Sequence, residues 1–134
     1  MNETKWLSGL LTIGAVLEAP LGLGLLAIPS AISSLLLGSS LSGPGLVIAR
    51  IAGGALLGLG IACWFARSTP IVRAGLGVAG ALLIYNIVAC VTLAEVPPGP
   101  GSRALLVGAA SLHGLLAAAL LASLALGSRQ RGST

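Results

Sequence analysis

Charge is what this sequence has least of. Asp, Glu, Lys and Arg make up 7% of its 134 residues, where a water-facing domain carries about a quarter. A soluble surface cannot be built from so few. Aromatic residues are at 3%, with two Trp, one Tyr and one Phe, which leaves no stacking platform beside the basic residues and excludes a nucleic-acid surface. There is one His, so a paired-imidazole metal or haem site has no second ligand within the chain. The two Cys, at 63 and 90, form neither a CxxC redox pair nor a zinc motif. Twenty Gly without a fixed period and seven Pro exclude a collagen-like repeat. What the chain has in excess is apolar surface: 56% hydrophobic residues and a mean hydropathy of +1.06, which excludes disorder and leaves an integral membrane protein.

The few charges punctuate the chain. Uncharged stretches separate Glu18 from Arg50, Arg50 from Arg67, Arg73 from Glu95 and Arg103 from Arg129. A helix needs about 20 mostly apolar residues to cross a hydrocarbon core. The stretches predict four spans at about 6–29, 46–66, 71–94 and 104–126. The fold class is therefore all-α, a single four-transmembrane-helix bundle over residues 1–134. Strands are excluded because they would leave backbone groups unsatisfied in lipid. The turn at 67–70 makes the second and third spans antiparallel neighbours, and the run Pro97-Pro98-Gly99-Pro100-Gly101 predicts a stiff external turn. Between 30 and 45 the apolar patch Leu35-Leu36-Leu37 predicts a short segment along the membrane surface. The first span lacks a small–x–small cleavage pattern and is read as retained rather than as a signal peptide.

With four spans, Lys5, Arg67, Arg73, Arg129 and Arg131 share one side, against Arg50 and Arg103 on the other. The positive-inside rule then puts both termini in the cytoplasm. Trp6 and Trp64 fall at the same interface, where amphipathic rings prefer to sit. Because lipid tails are as apolar as Leu, helices in a membrane pack through small residues. Gly54 and Gly58 on the second span, Gly77 on the third and Gly114 on the fourth are the expected packing positions, with Gly53 and Gly60 beside the first pair.

Five polar residues fall inside the apolar spans: Glu18, Arg50, Tyr85, Asn86 and His113. Ionisable groups at such depth mark a candidate functional site. With a rise of about 1.5 Å per residue, Glu18, Asn86 and His113 come to similar levels, and the Arg50 side chain can reach about 6 Å toward them. The expected arrangement is one polar layer, Glu18 paired with Arg50 and supported by Tyr85, Asn86 and His113. If the pair forms, the layer is a clamp that fixes helix register; if Arg50 is absent from it, Glu18 becomes a proton carrier. Pro20, two residues after Glu18, removes the hydrogen bond to the Val16 carbonyl and predicts a helix kink beside the carboxyl group.

The run Ala49-Arg50-Ile51-Ala52-Gly53, continued by Leu59-Gly60-Ile61-Ala62-Cys63-Trp64 and by Tyr85-Asn86, resembles a group of uncharacterised small bacterial four-helix inner-membrane proteins, a likeness that carries no activity with it. Gly14-Ala15-Val16-Leu17-Glu18 is similar to the first helix of the small multidrug resistance transporters, in which a membrane Glu exchanges protons for cationic drugs within an antiparallel dimer. That resemblance implies a proton-exchanging role for Glu18. This chain departs from that family in its Arg50, its polar first loop and its lack of aromatic residues along the second and third spans.

No nucleophile–base pair, phosphate-cradling loop or metal cluster is legible, so no catalytic residue, metal or cofactor is assigned and the chain is read as not an enzyme. The expectation is a multi-pass protein of a bacterial inner membrane, serving as an accessory or assembly subunit or scaffold in a homo-oligomer or larger membrane complex. One alternative is a proton-coupled transporter of small amphipathic molecules using Glu18. Another is a binder of quinone or another lipid-like ligand, anchored by Arg50, Tyr85 and Asn86.

Overall fold

The computed structural model describes residues 3–97 and 102–131. Pro98, Gly99, Pro100 and Gly101 of the expected external turn lie outside the described residues, as do the side chains of Arg129 and Arg131. The described chain folds into five helices: α1 (Glu3–Ala27), α2 (Pro29–Leu37), α3 (Pro44–Ala66), α4 (Arg73–Glu95) and α5 (Arg103–Arg131). Among the described residues there is no strand. Four of the helices, all but α2, are long and apolar enough to cross a membrane.

Prolines set the boundaries at the first connection. Pro29 has no N–H to give the carbonyl four residues back, so α1 stops at Ala27, and Pro29 opens α2. The patch Leu35-Leu36-Leu37 thus closes a short helix rather than a loop. Gly38, at φ 73°, ends α2 in the left-handed conformation, with its N–H on the Ser34 carbonyl. Ser33 Oγ donates to the Ser39 carbonyl at 2.7 Å and Ser30 Oγ to the Leu41 carbonyl at 2.9 Å, which folds the returning loop of this connection against α2. At the second connection Gly75 abuts Thr69 and Pro70, where a Cβ would stand 2.5 Å from the Thr69 carbonyl oxygen; no other residue type fits so tight a turn.

α1 packs chiefly against α3, and α4 against α5. α3 and α4, joined by the short turn, do touch, but they share much less surface. In the first pair Ala19 lies against Gly60 and Gly22 against Gly53 and Leu57, so residue numbers rise on α1 as they fall on α3: the two run antiparallel. A Cβ on Gly22 would stand 2.5 Å from the Leu57 nitrogen, and one on Gly60 2.7 Å from the Ala19 nitrogen. The backbones themselves are in contact.

The expected packing positions need correction here. Gly54, Gly58 and Gly77 have nothing within 4 Å of where a Cβ would be, and all three are exposed. The glycines that bring helices together include Gly22, Gly53 and Gly60, and Gly14 against Leu82, whereas of the expected positions Gly114 does pack, with a Cβ position 3.2 Å from Cys90 Sγ. The physical reason is rotation: Gly53 and Gly54 are adjacent, so about 100° of helical turn separates the face that meets α1 from the exposed face.

Buried positions run as stripes at helical spacing. On α1 they include Leu7, Leu11, Ala15, Glu18 and Gly22; on α3 Ala49, Gly53, Gly60 and Cys63; on α4 Gly75, Ala79, Leu82 and Asn86; on α5 Leu106, His113, Leu116 and Leu120. Each stripe carries polar or sulfur-bearing chemistry among apolar neighbours. Trp6, Trp64 and Phe65 are exposed at the end of the bundle where α1 begins and α3 ends, and the Arg67 guanidinium lies 3.4 Å above the Trp64 ring.

Candidate functional site: the buried polar centre

Glu18 is 1% exposed, and neither carboxyl oxygen has a hydrogen-bond partner. It lies on the inward stripe of α1, one turn beyond Ala15. The Tyr85 hydroxyl of α4 approaches the carboxyl group but stops short of a hydrogen bond. From α3, Cys63 lies within electrostatic reach of Glu18, fully buried and with a free thiol. A buried polar group without a partner is uncommon in folded proteins and calls for an explanation.

The second half of the centre is fully bonded. Asn86, with no exposed surface, donates from Nδ2 to the Leu82 carbonyl at 2.8 Å, one turn back on its own helix. That bond fixes the amide: the nitrogen must face Leu82, so Oδ1 faces His113 Nδ1, 2.8 Å away on α5. An amide oxygen only accepts, so Nδ1 carries the hydrogen and donates, and in the neutral ring Nε2 holds the lone pair. The Tyr85 ring stands edge-on to the His113 ring, with centroids 5.4 Å apart and an interplanar angle of 88°. Tyr85 is thus the residue between the two halves, touching His113 with its ring and facing Glu18 with its hydroxyl. Two further hydroxyls in the spans are occupied within their own helices: Thr12 Oγ1 donates to the Ser8 carbonyl and Ser123 Oγ to the Ala119 carbonyl.

Glu18, Tyr85, Asn86 and His113 therefore come together, from α1, α4 and α5. Arg50 does not, which corrects the expected pair. It is exposed, and its Nε donates to the Leu26 carbonyl at 3.4 Å, near the C-terminal end of α1. Arg50 follows Ala49 by one residue, so it points away from the buried stripe of α3, and it finds instead the carbonyls that a helix end leaves unpaired. The position on α3 that does reach the centre is Cys63. Its residue type gives no hint of this, since a buried Cys behaves as a small hydrophobe; the signal lay in its spacing from Gly60. Pro20 is exposed and α1 runs through it as one helix. It lines a groove of about 370 Å³ on the outer face of α1 and α3, walled by Ala15, Ala19, Gly60, Ile61 and Trp64.

Chemically the centre offers a carboxyl group, a phenol and an imidazole. All three can hold or pass a proton, and none is placed as a nucleophile beside a base. Among the described residues no three of His, Cys, Asp and Glu gather in a metal-holding group.

The His113–Asn86–Leu82 chain is the part of the centre that stabilises the α4–α5 pair. Asn86→Leu removes both bonds and leaves the imidazole N–H unpaired in the interior, for an expected loss of about 1–3 kcal/mol. Thermal unfolding in detergent measures it, and the nitrogen resonances of the single His show whether Nδ1 still carries the hydrogen. No protein-family model, curated protein or solved structure matches this chain.

Proposed function

We propose that this protein is a proton-coupled carrier of small amphipathic molecules, with Glu18 as the group that takes up and releases the proton. One observation carries the reading: Glu18 is buried with both oxygens unpartnered, while Arg50, its only candidate counter-ion on the sequence, is engaged with the end of α1. A charge held in a low-dielectric interior without a partner is costly, so the carboxyl group is poised to exchange its proton when water or a cationic ligand reaches it. A register clamp built on a Glu18–Arg50 pair loses its support, as does a quinone site anchored by Arg50, Tyr85 and Asn86 together. Tyr85 and the His113–Asn86 pair then line the carrier's centre, and the groove beside Pro20 is the side from which an amphipathic substrate in the bilayer comes within one helical turn of Glu18. In this reading both termini are cytoplasmic and the protein sits in a bacterial inner membrane, following the excess of Lys and Arg on one side.

A second reading has its own support. Gly54, Gly58 and Gly77 present open small-residue surface outward, which suits an accessory or assembly subunit that packs closely against other helices.

Proton flux into proteoliposomes separates the two. The carrier reading expects flux driven by a gradient of a small amphipathic amine, reduced at least tenfold by Glu18→Gln in protein that keeps its thermal midpoint. Flux indifferent to that substitution overturns the carrier reading and leaves the subunit reading standing.

A further inference from the structure

Arg50 lies in a part of the molecule that the polar centre does not use. Its side chain is exposed, on a helix whose neighbouring outward residues Val47, Ile48 and Ile51 are all large and apolar. It lies six residues into α3, level with the end of α1, since its Nε meets the Leu26 carbonyl. The guanidinium is therefore at the margin of the apolar span, where α1 gives way to α2. Beside it a groove of about 400 Å³ is walled by Ile28, Pro29, Ser30, Ala31 and Leu46. Ser30 has already given its hydroxyl hydrogen to the Leu41 carbonyl, so Arg50 is the one cation in an otherwise apolar groove. Only Nε is engaged. The two terminal amino groups have no protein partner among the described residues, and no acidic side chain there pairs with them.

We propose that this groove binds one anionic phospholipid, with its phosphodiester on the free edge of the Arg50 guanidinium and its glycerol and upper acyl carbons against Ile28, Ala31 and Leu46. Charge complementarity selects the occupant. The free amino groups of a guanidinium match two phosphate oxygens in a planar fork, and at the margin of a membrane span the abundant anion that also brings an apolar body is a lipid. A zwitterionic lipid presents the same phosphate but brings its own ammonium group to the guanidinium. This site is independent of Glu18 and of the carrier reading.

Native mass spectrometry of the full chain, released from mixed phosphatidylglycerol and phosphatidylcholine micelles, tests it. The expected result is retention of one phosphatidylglycerol at least fivefold in excess over phosphatidylcholine. Arg50→Gln should abolish that preference, and Arg50→Lys should keep part of it, because a point charge lacks the fork. Ala31→Phe, which fills the groove and leaves Arg50 in place, should lower retention as well, so the outcome does not depend on the Arg50 variant folding. Arg103→Gln, an exposed Arg at the same end of the bundle, should leave retention unchanged. Equal retention of the two lipids overturns the site. So does an equal loss in the Arg50→Gln and Arg103→Gln variants, which would mark diffuse charge. Displacement of the lipid by inorganic phosphate at equal concentration would mark a free-anion site and also overturn it.

Discussion

Gly22→Leu is expected to unseat α1 from α3, while Gly58→Ala leaves the bundle intact or slightly stabilised. A side chain at position 22 would have to enter space occupied by the Leu57 nitrogen and the Gly53 carbonyl oxygen, 2.5 Å and 2.6 Å from the added Cβ. Both are backbone atoms of a helix and cannot rotate away. The whole helix must retreat, and with it go the matching contacts at Gly53 and at Gly60 with Ala19. Overpacking of an ordinary core costs about 1–3 kcal/mol where side chains give way; here no side chain can, so the loss should lie at or above the top of that range. For a chain of this length that corresponds to a fall in midpoint of about 10 °C or more. Gly58 has nothing within 4 Å, and an exposed helical Gly→Ala change gains up to about 1 kcal/mol. Detergent-solubilised thermal unfolding of both variants measures the contrast. A Gly22→Leu midpoint equal to that of the unaltered chain would show that the α1–α3 backbones are not in contact.

That contrast also shows what the sequence could and could not reveal. The spans were legible because charge is so sparse that, Glu18 and Arg50 apart, the Lys, Arg and Glu residues fall near helix ends: Arg73 and Glu95 bracket α4, and Arg103 opens α5. The polar layer was partly legible for the same reason, since Glu18, Tyr85, Asn86 and His113 stand out against apolar runs and helical rise puts them at one level. Helix rotation was not legible. In water the buried face of a helix is apolar and the outer face polar, so the sequence shows which way it turns. On α3 the outward residues Val47, Ile48, Ile51 and Ile61 are as apolar as anything within. Nothing in that pattern says that Gly53 faces α1 while Gly54 faces out, or that Ala49 rather than Arg50 lies on the stripe. One residue of register separates a counter-ion from a helix-end cap, and only packing decides it. The same blindness hid Cys63, which shares the face of Gly60.

Glu18→Met is expected to make the protein more stable and to abolish the proton flux that the carrier reading expects. The two side chains are similar in length, and neither carboxyl oxygen has a hydrogen-bond partner that a thioether would forfeit, the Tyr85 hydroxyl being the one donor that faces it. Burying a polar group without compensation costs about 1–3 kcal/mol on the scale of protein substitutions, and replacing it with an apolar group of the same shape removes that cost. The midpoint should therefore rise by about 3–10 °C, while Asn86→Leu, which breaks a satisfied pair, lowers it. Such a gain is the mark of a group kept for its chemistry rather than for the fold, since folded proteins tolerate destabilising groups where function needs them. The opposite result is equally informative. A midpoint that falls by several degrees in Glu18→Met, with Glu18→Gln close to the unaltered chain, would mean that the carboxyl group holds its helices together through a hydrogen bond that glutamine can replace. Glu18 would then be a clamp between α1 and α4, and the carrier reading would lose the observation on which it stands.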